Sequence, residues 1–263
     1  MFRRCLKDSA DLVYITAPHV VPIPTPSSIE EREEVQEQQQ QENAADLDPE
    51  NLPYGWWTRS PTNAYIGLDT TLTQLATVLK DQGPFDGVMG FSQGAALAAL
   101  LQLLLERPDL SPTSDLAQQY RDHGPLGFSI IVSGFLPVDP VQLGWFRSRV
   151  PRSMNRLAAK EAAAADVEKE EGAALPSRPS QNGLLGSKDD ECQGVVGASL
   201  HVIGRGDVII EPERSEALVN EYKERAPTVF YHDGGHFMPS NAASRHTYRA
   251  FVEPFVRAKL AKH

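Results

Sequence analysis

The sequence predicts an α/β protein in which helices cover both faces of a mostly parallel β-sheet. Short apolar, β-branched runs alternate along the 263 residues with longer segments of helical periodicity. Strands that alternate with helices form parallel sheets, because each crossover returns the chain to the same edge. A strand-to-helix corner at 85–106 also lacks the usual connecting loop. In parallel sheets the chemistry lies at the carboxyl ends of the strands.

The first half of the chain contains two predicted elements before this corner. Residues 11–18, DLVYITAP, are apolar and β-branched and end at a proline, which predicts a buried strand. Apolar residues recur at helical spacing in 64–81, and Gly83-Pro84 ends that predicted helix.

The second half continues the alternation. The strand at 85–91 leads into an apolar helix at 93–106, and residues 108–125 form a longer connection to a strand at 127–135. The remaining predicted elements are a strand at 199–204, a helix at 211–225, a short strand at 228–234 and a terminal helix at 240–260.

Two segments interrupt this pattern and predict surface insertions in a single domain that spans 1–263. Residues 27–50 are rich in glutamate and glutamine, and 156–196 combine an alanine- and glutamate-rich stretch with a Ser/Pro/Gly-rich run. Neither segment has a large apolar face with which to pack on a core.

The charge distribution excludes several classes of function. The formal net charge is −10, of which residues 27–50 contribute nine acidic groups and one arginine, a net of −8. Nucleic-acid binding is not expected, because no basic cluster is present.

The longest apolar run, 95–105, is too short to span a membrane. Two cysteines and no secretory signal predict a cytoplasmic protein, with the nucleus as a further compartment.

The corner places Ser92 between strand and helix in the sequence GFSQG. This Gly-x-Ser-x-Gly pattern in this context is typical of a nucleophile elbow, whose strained turn exposes the serine Oγ. The positive end of the helix lies beside it, and the backbone N–H of Gln93 is a candidate oxyanion donor. The alternative is a tight packing turn whose serine caps the helix.

A nucleophilic serine requires a base and an orienting carboxylate. His236 follows a predicted strand in HDGGHFMP, where two glycines let the loop bring an imidazole over the sheet. His232 is the weaker candidate because it lies within that strand. Asp207 follows the strand at 199–204 and precedes His236 by 29 residues. Asp139 is the rival carboxylate, and either aspartate could instead cap a turn or helix.

The motifs GPFDGVMGFSQGAALAALL, SIIVSGFLP, SLHVIGRGDVIIEPERSEAL and HDGGHFMP together resemble the FSH family of serine hydrolases, which has the α/β-hydrolase fold. The resemblance implies Ser92, Asp207 and His236 as the catalytic triad. It also implies carboxylic esters or acyl thioesters as small-molecule substrates, with no metal or organic cofactor.

The amino-terminal sequence departs from the family pattern. The family's first strand and the oxyanion loop after it have no counterpart before MFRRCLKD. Two interpretations therefore remain open. The first is a serine hydrolase with an acyl-enzyme intermediate. The second is a truncated or non-catalytic hydrolase-fold module that binds an acyl ligand or a protein partner.

Overall fold

The computed structural model describes residues 5–6, 9–21, 53–148 and 197–261. Both predicted insertions, 27–50 and 156–196, lie outside these residues. Four two-residue strands come first and pair antiparallel, β1 with β2 and β3 with β4. Their bounds are β1 His19–Val20, β2 Tyr54–Gly55, β3 Thr58–Arg59 and β4 Tyr65–Ile66.

The main sheet consists of four parallel strands in the order β5-β6-β7-β8. The helices that alternate with them are α1 to α6. Along the chain the elements are α1 Leu68–Gln82, β5 Gly87–Phe91, α2 Gln93–Glu106, α3 Ser114–His123, β6 Phe128–Val132, α4 Pro140–Arg147, β7 Ala198–Gly204, α5 Pro212–Tyr222, β8 Thr228–His232 and α6 Ala242–Leu260.

Helices cover both faces of this sheet, as the alternating pattern predicted. Successive side chains of a strand point to opposite faces, and β6 shows this directly. Ile131 packs in a cluster with leucines of α1 and α2. Its neighbours Ile130 and Val132 pack in a second cluster with Tyr248 and Val252 of α6. The structure therefore has the α/β-hydrolase architecture of a parallel sheet between two helical layers.

Helix α2 is buried almost all round, because it lies between the sheet and the other helices. Every residue from Ala95 to Leu105 is buried, including Gln102, which accepts a hydrogen bond from Ser129 Oγ at 2.8 Å. Within the part of the chain that the structure describes, no helix is both long and apolar enough to cross a membrane.

The predicted strand at 11–18 is wrong. Residues 11–17 pair with no strand in the described part of the chain, and Tyr14 and Val13 are 67% and 45% exposed. A β-branched apolar run favours a pleated, half-buried surface, but it becomes a strand only where a neighbouring strand completes the hydrogen bonds. Among the described residues, the sheet ends at β5 instead.

The connection predicted at 108–125 contains a helix that the sequence analysis missed. Thr113 caps α3, since its side chain accepts a hydrogen bond from the Leu116 N–H at 3.3 Å. The other predicted elements are present. The helix at 93–106 has the predicted bounds, and the ends of the others differ by up to four residues. The largest difference is at 64–81, where α1 begins only at Leu68.

Candidate active site

The corner at Ser92 has the strained backbone that the sequence pattern predicts. Ser92 is the single residue between β5 and α2, with φ 54° and ψ −120°. A positive φ is uncommon for a residue with a side chain and costs on the order of 1–3 kcal/mol. The Ser92 N–H donates to the Val132 carbonyl at 2.9 Å, which anchors the corner to the end of β6.

A glycine is required two residues before the serine. A Cβ at Gly90 would lie 2.0 Å from the carbonyl oxygen of Gly94, far inside van der Waals contact. The strand therefore passes against the backbone of the first turn of α2. This close approach allows the chain to turn within one residue.

The structure brings Ser92, His236 and Asp207 into one hydrogen-bonded chain. His236 Nε2 lies 2.9 Å from Ser92 Oγ, and His236 Nδ1 lies 2.8 Å from Asp207 Oδ2. An ionised carboxylate can only accept, so Nδ1 carries the proton in the neutral ring and Nε2 accepts from the serine hydroxyl. The Phe91 ring packs against the imidazole at a centroid distance of 4.8 Å.

Asp207 is held in place by its own loop. It is 3% exposed, and its Oδ1 accepts hydrogen bonds from the Ile209 and Ile210 N–H groups at 3.0 and 2.8 Å. Burial acts to raise the pKa of Asp207, but the hydrogen bonds from His236 and the two backbone amides outweigh it. The resulting pKa lies below the ordinary value of an aspartate, so the carboxylate is ionised at neutral pH.

The loops that carry Asp207 and His236 are joined backbone to backbone. The Gly206 N–H donates to the Gly234 carbonyl at 3.1 Å, and the Arg205 N–H donates to the His232 carbonyl at 2.8 Å. A Cβ at Gly204 would lie 2.7 Å from the carbonyls of both Gly234 and Gly235. The parallel pairing of β7 with β8 thus sets the carboxylate against the imidazole.

The rival residues have other contacts. Asp139 caps α4, accepting from the Val141 N–H at 2.8 Å, and its other oxygen accepts from the Tyr65 N–H at 2.8 Å. His232 is buried, and its Nδ1 accepts from the Gly234 N–H at 3.2 Å. Burial lowers the pKa of His232, which keeps its ring neutral.

Gln93 has a second contact that sequence reasoning missed. Its N–H begins α2 beside Ser92, and no acceptor for it lies among residues 53–148 and 197–261. Its side chain accepts from the Trp56 N–H at 2.8 Å and donates to the Trp57 carbonyl at 2.9 Å. The carboxamide thereby fixes the 53–59 segment against the corner. No local pattern signals this contact, because the partners are 36 or more residues apart in the chain.

The structure combines a parallel sheet between helices with a serine on a strained corner, a histidine and an aspartate from later loops. This is the arrangement of the α/β-hydrolase class of serine hydrolases. The family model described as "Serine hydrolase (FSH1)" matches residues 1–248. The chain belongs to this family, as the sequence motifs indicated.

Relatives of the chain include proteins named as esterases. Esterase OVCA2 of Danio rerio is 28% identical, over 96% of this chain and 87% of the relative. Esterase OVCA2 of Homo sapiens is also 28% identical, over 96% and 86%. Among solved structures, acyl-protein thioesterase 2 of Zea mays is similar at 14% identity and a TM-score of 0.42, over 80% of this chain and 70% of that one.

Proposed function

We propose that the protein hydrolyses carboxylic esters or acyl thioesters through an acyl-enzyme intermediate on Ser92. One observation carries this proposal, the unbroken contact from Ser92 Oγ through the His236 ring to Asp207, with both hydrogen bonds shorter than 3.0 Å. These are the distances over which a base can take the proton of an attacking hydroxyl.

In the first half-reaction, Ser92 Oγ attacks the acyl carbonyl carbon while His236 Nε2 takes the hydroxyl proton. Asp207 stabilises the imidazolium that forms, and the Gln93 N–H donates to the oxyanion of the tetrahedral intermediate. The alcohol or thiol then leaves with the proton from His236. In the second half-reaction, His236 activates a water molecule that attacks the acyl group and frees Ser92.

Apolar side chains beside the site support a substrate with a hydrophobic acyl or alcohol group. Val208 and Ile209 directly follow Asp207, and Phe237 directly follows His236. The exposed fractions of these three residues are 86%, 60% and 50%. Exposed apolar groups at the mouth of a site provide contact area for an uncharged hydrocarbon portion of a ligand.

The rival function, a hydrolase-fold module that binds without turnover, is less well supported. Such a module would have no need for a positive φ at Ser92 or for an ionised Asp207 aligned on His236. Strain is retained where surrounding structure and function require it. The geometry of the three groups therefore supports the enzymatic function over the binding module.

Serine reactivity is the direct test of this function. We expect the wild-type chain to be labelled by a fluorophosphonate probe and to hydrolyse p-nitrophenyl esters. Ser92→Ala should abolish labelling and lower kcat by about 10⁶-fold, the loss seen for the serine knockout in subtilisin. Ser148→Ala, which changes an exposed serine at the end of α4, is the matched control and should label normally. Equal labelling of the Ser92→Ala and wild-type proteins would contradict the proposal.

A comparison of kcat/KM for matched oxygen and thiol esters of one acyl group then separates the two substrate classes. A preference for the thioester by more than tenfold would assign the protein as a thioesterase, and the reverse preference would assign it as a carboxylesterase.

A further inference from the structure

Ser133 follows β6 directly and lies between the corner of Ser92 and the strand that leads to Asp207. The peptide group that joins Val132 to Ser133 contacts both neighbours. Its carbonyl accepts from the Ser92 N–H at 2.9 Å, and its N–H donates to the Val202 carbonyl of β7 at 2.9 Å. One peptide group of the sheet thus connects the nucleophile to the strand that carries the carboxylate.

The backbone of Ser133 is strained, as that of Ser92 is. Its φ is 48°, in the left-handed region that a residue with a side chain rarely adopts. The residue after it is also fixed, because Ser215 Oγ of α5 donates to the Gly134 carbonyl at 2.8 Å. Strained residues persist where the surrounding structure holds them, and they cluster at functional sites. The packing of β7 and α5 therefore sets the position of the Ser133 side chain.

The hydroxyl of Ser133 is enclosed beside the Asp207 carboxylate. Ser133 is 1% exposed, and its Oγ has no well-aligned acceptor among the residues that the structure describes. Burial acts to raise the pKa of Asp207, and the Ser133 hydroxyl is among the hydrogen-bond donors that lower it. Hydrogen bonds of an active site are often loose in the free enzyme and tighten when substrate binds. The carboxylate is thus the acceptor within reach of this hydroxyl.

The Asp207 carboxylate has an acceptor site left for this donor. An ionised carboxylate offers about four lone-pair sites on its two oxygens. Oδ1 accepts from the Ile209 and Ile210 N–H groups, and Oδ2 accepts from His236 Nδ1. The remaining site is therefore on Oδ2, the oxygen that orients the imidazole.

His232 is another buried polar side chain near this carboxylate, but it acts through charge alone. Its Nδ1 accepts from the Gly234 N–H, so Nε2 carries the proton of the neutral ring. Burial lowers the pKa of His232, and the charge of Asp207 opposes that shift without a hydrogen bond between the two side chains. Ser133 is the better candidate for the remaining acceptor site.

We propose that Ser133 is a positioning residue of the triad, whose hydroxyl donates to Asp207 Oδ2 and holds that oxygen on His236 Nδ1. This inference rests on the hydrolase function proposed above. Without the Ser133 hydroxyl, the imidazole alone holds Oδ2, and the carboxylate can turn away from it. The Nε2–H tautomer of His236 then becomes more populated, and that tautomer cannot take the proton of Ser92.

Two substitutions of Ser133 separate the hydroxyl from the backbone strain. Ser133→Ala removes the hydroxyl and keeps the strain, whereas Ser133→Gly removes the hydroxyl and relieves the strain. We expect both variants to lower kcat by about tenfold to a hundredfold with little change in KM, which corresponds to one lost hydrogen bond to a charged group. Ser133→Gly should be at least as stable to urea as Ser133→Ala.

Ser129→Ala is the matched control for these variants. It removes another buried serine hydroxyl of β6, which donates to Gln102 rather than to a residue of the triad. We expect it to lower stability and to keep the wild-type kcat. A loss of kcat in Ser129→Ala equal to that in Ser133→Ala would contradict the proposal, because the effect would then be common to buried serines of this strand.

Nitrogen-15 NMR of the histidine rings tests the same role without catalysis. The spectra are recorded at neutral pH in the Ser92→Ala background, and the His236 signals are assigned by their loss in His236→Gln. We expect the Nδ1–H tautomer of His236 when Ser133 is present, and a larger fraction of the Nε2–H tautomer in Ser133→Ala and in Ser133→Gly. This readout decides the role of Ser133 even if the protein proves not to be a hydrolase.

Two further results would overturn the proposal. The first is an unchanged tautomer population of His236 in both Ser133 variants. The second is a wild-type kcat in Ser133→Gly, which would show that alignment of the triad does not need the hydroxyl.

Discussion

At the scale of single residues, the site depends on which carboxylate faces His236. Asp207 and Asp139 both follow strands, and both accept two or more hydrogen bonds. Only the hydrogen bonds of Asp207 include an imidazole. The partners of Asp139 are the backbone amides of Tyr65 and Val141, so it joins β4 to the start of α4.

Asparagine substitutions separate these two roles. We expect Asp207→Asn to lower kcat by about 10⁴-fold, as in the serine protease precedent, because an amide can stabilise the wrong tautomer of His236. Its effect on KM should be small. Asp139→Asn should keep kcat within a few-fold and lower the free energy of unfolding by about 1–2 kcal/mol, because the side-chain NH2 group that replaces one carboxylate oxygen cannot accept from the Tyr65 N–H. A larger loss of kcat in Asp139→Asn than in Asp207→Asn would reverse the assignment.

At the scale of elements, the turn from β5 into α2 depends on backbone packing. The corner has one residue, and Gly90 and Gly94 are in direct contact across it. The helix that follows is buried almost all round. A displacement of this corner would therefore move Ser92 relative to the loops after β7 and β8.

An added methyl group tests this close contact. We expect Gly90→Ala to reduce soluble yield or lower the melting temperature by several degrees, because its Cβ would meet the Gly94 carbonyl at 2.0 Å. Esterase activity should fall with it. Gly144→Ala in α4 is the matched control. Its Cβ has no atom within 4 Å, so the change should be neutral or stabilise the helix by about 0.5–1 kcal/mol. Wild-type stability in Gly90→Ala would show that the corner can relax.

At the scale of the whole molecule, the sheet core contains ionisable groups that burial keeps neutral. His201 is 2% exposed in β7, where its Nε2 lies 3.2 Å from Ser199 Oγ and its ring packs edge-on against Tyr222. Burial lowers the pKa of His201 from 6.5 to about 4. His232 shifts in the same direction for the same reason.

This shift predicts a loss of stability in mild acid. Below pH 6.5 the unfolded chain binds a proton at His201, while the folded chain resists protonation until about pH 4. The free energy of unfolding should therefore fall as pH decreases from 6.5 to 4, by about 3 kcal/mol at 1.36 kcal/mol per pKa unit, and this contribution should level off below pH 4. The lowered pKa of Asp207 acts at more acidic pH, outside this window.

Urea unfolding at several pH values measures this effect. His201→Gln removes the titrating group, so its unfolding free energy should depend less steeply on pH between 6.5 and 4, whatever its stability at pH 7. His123→Gln is the comparison variant outside β7. His123 is half-buried at the end of α3, and its Nε2 accepts from the Phe85 N–H. An identical pH slope in wild type and His201→Gln would contradict the prediction.

Features that depend on local chain properties are predictable from the sequence alone. The helix at 93–106 has the bounds that its apolar sequence predicted, and the GFSQG corner has the positive φ that the motif implies. The sequence points to Ser92, His236 and Asp207 because polar residues after parallel strands meet at one edge of the sheet. Hydrophobic period and turn chemistry act over a few residues, so they can be deduced without knowledge of the rest of the chain.

Features that depend on distant partners become visible only in the three-dimensional fold. Residues 11–18 have the composition of a strand but pair with none of the described strands, because strand formation requires a neighbour that no local pattern specifies. The contact of His236 with Asp207 rather than Asp139 follows from the pairing of β7 with β8 and from the cap that Asp139 makes on α4. The two hydrogen bonds between the Gln93 side chain and the backbone of Trp56 and Trp57 likewise arise from packing between segments far apart in the chain. These outcomes depend on which surfaces meet when the sheet and its helices assemble, and that is a property of the whole fold.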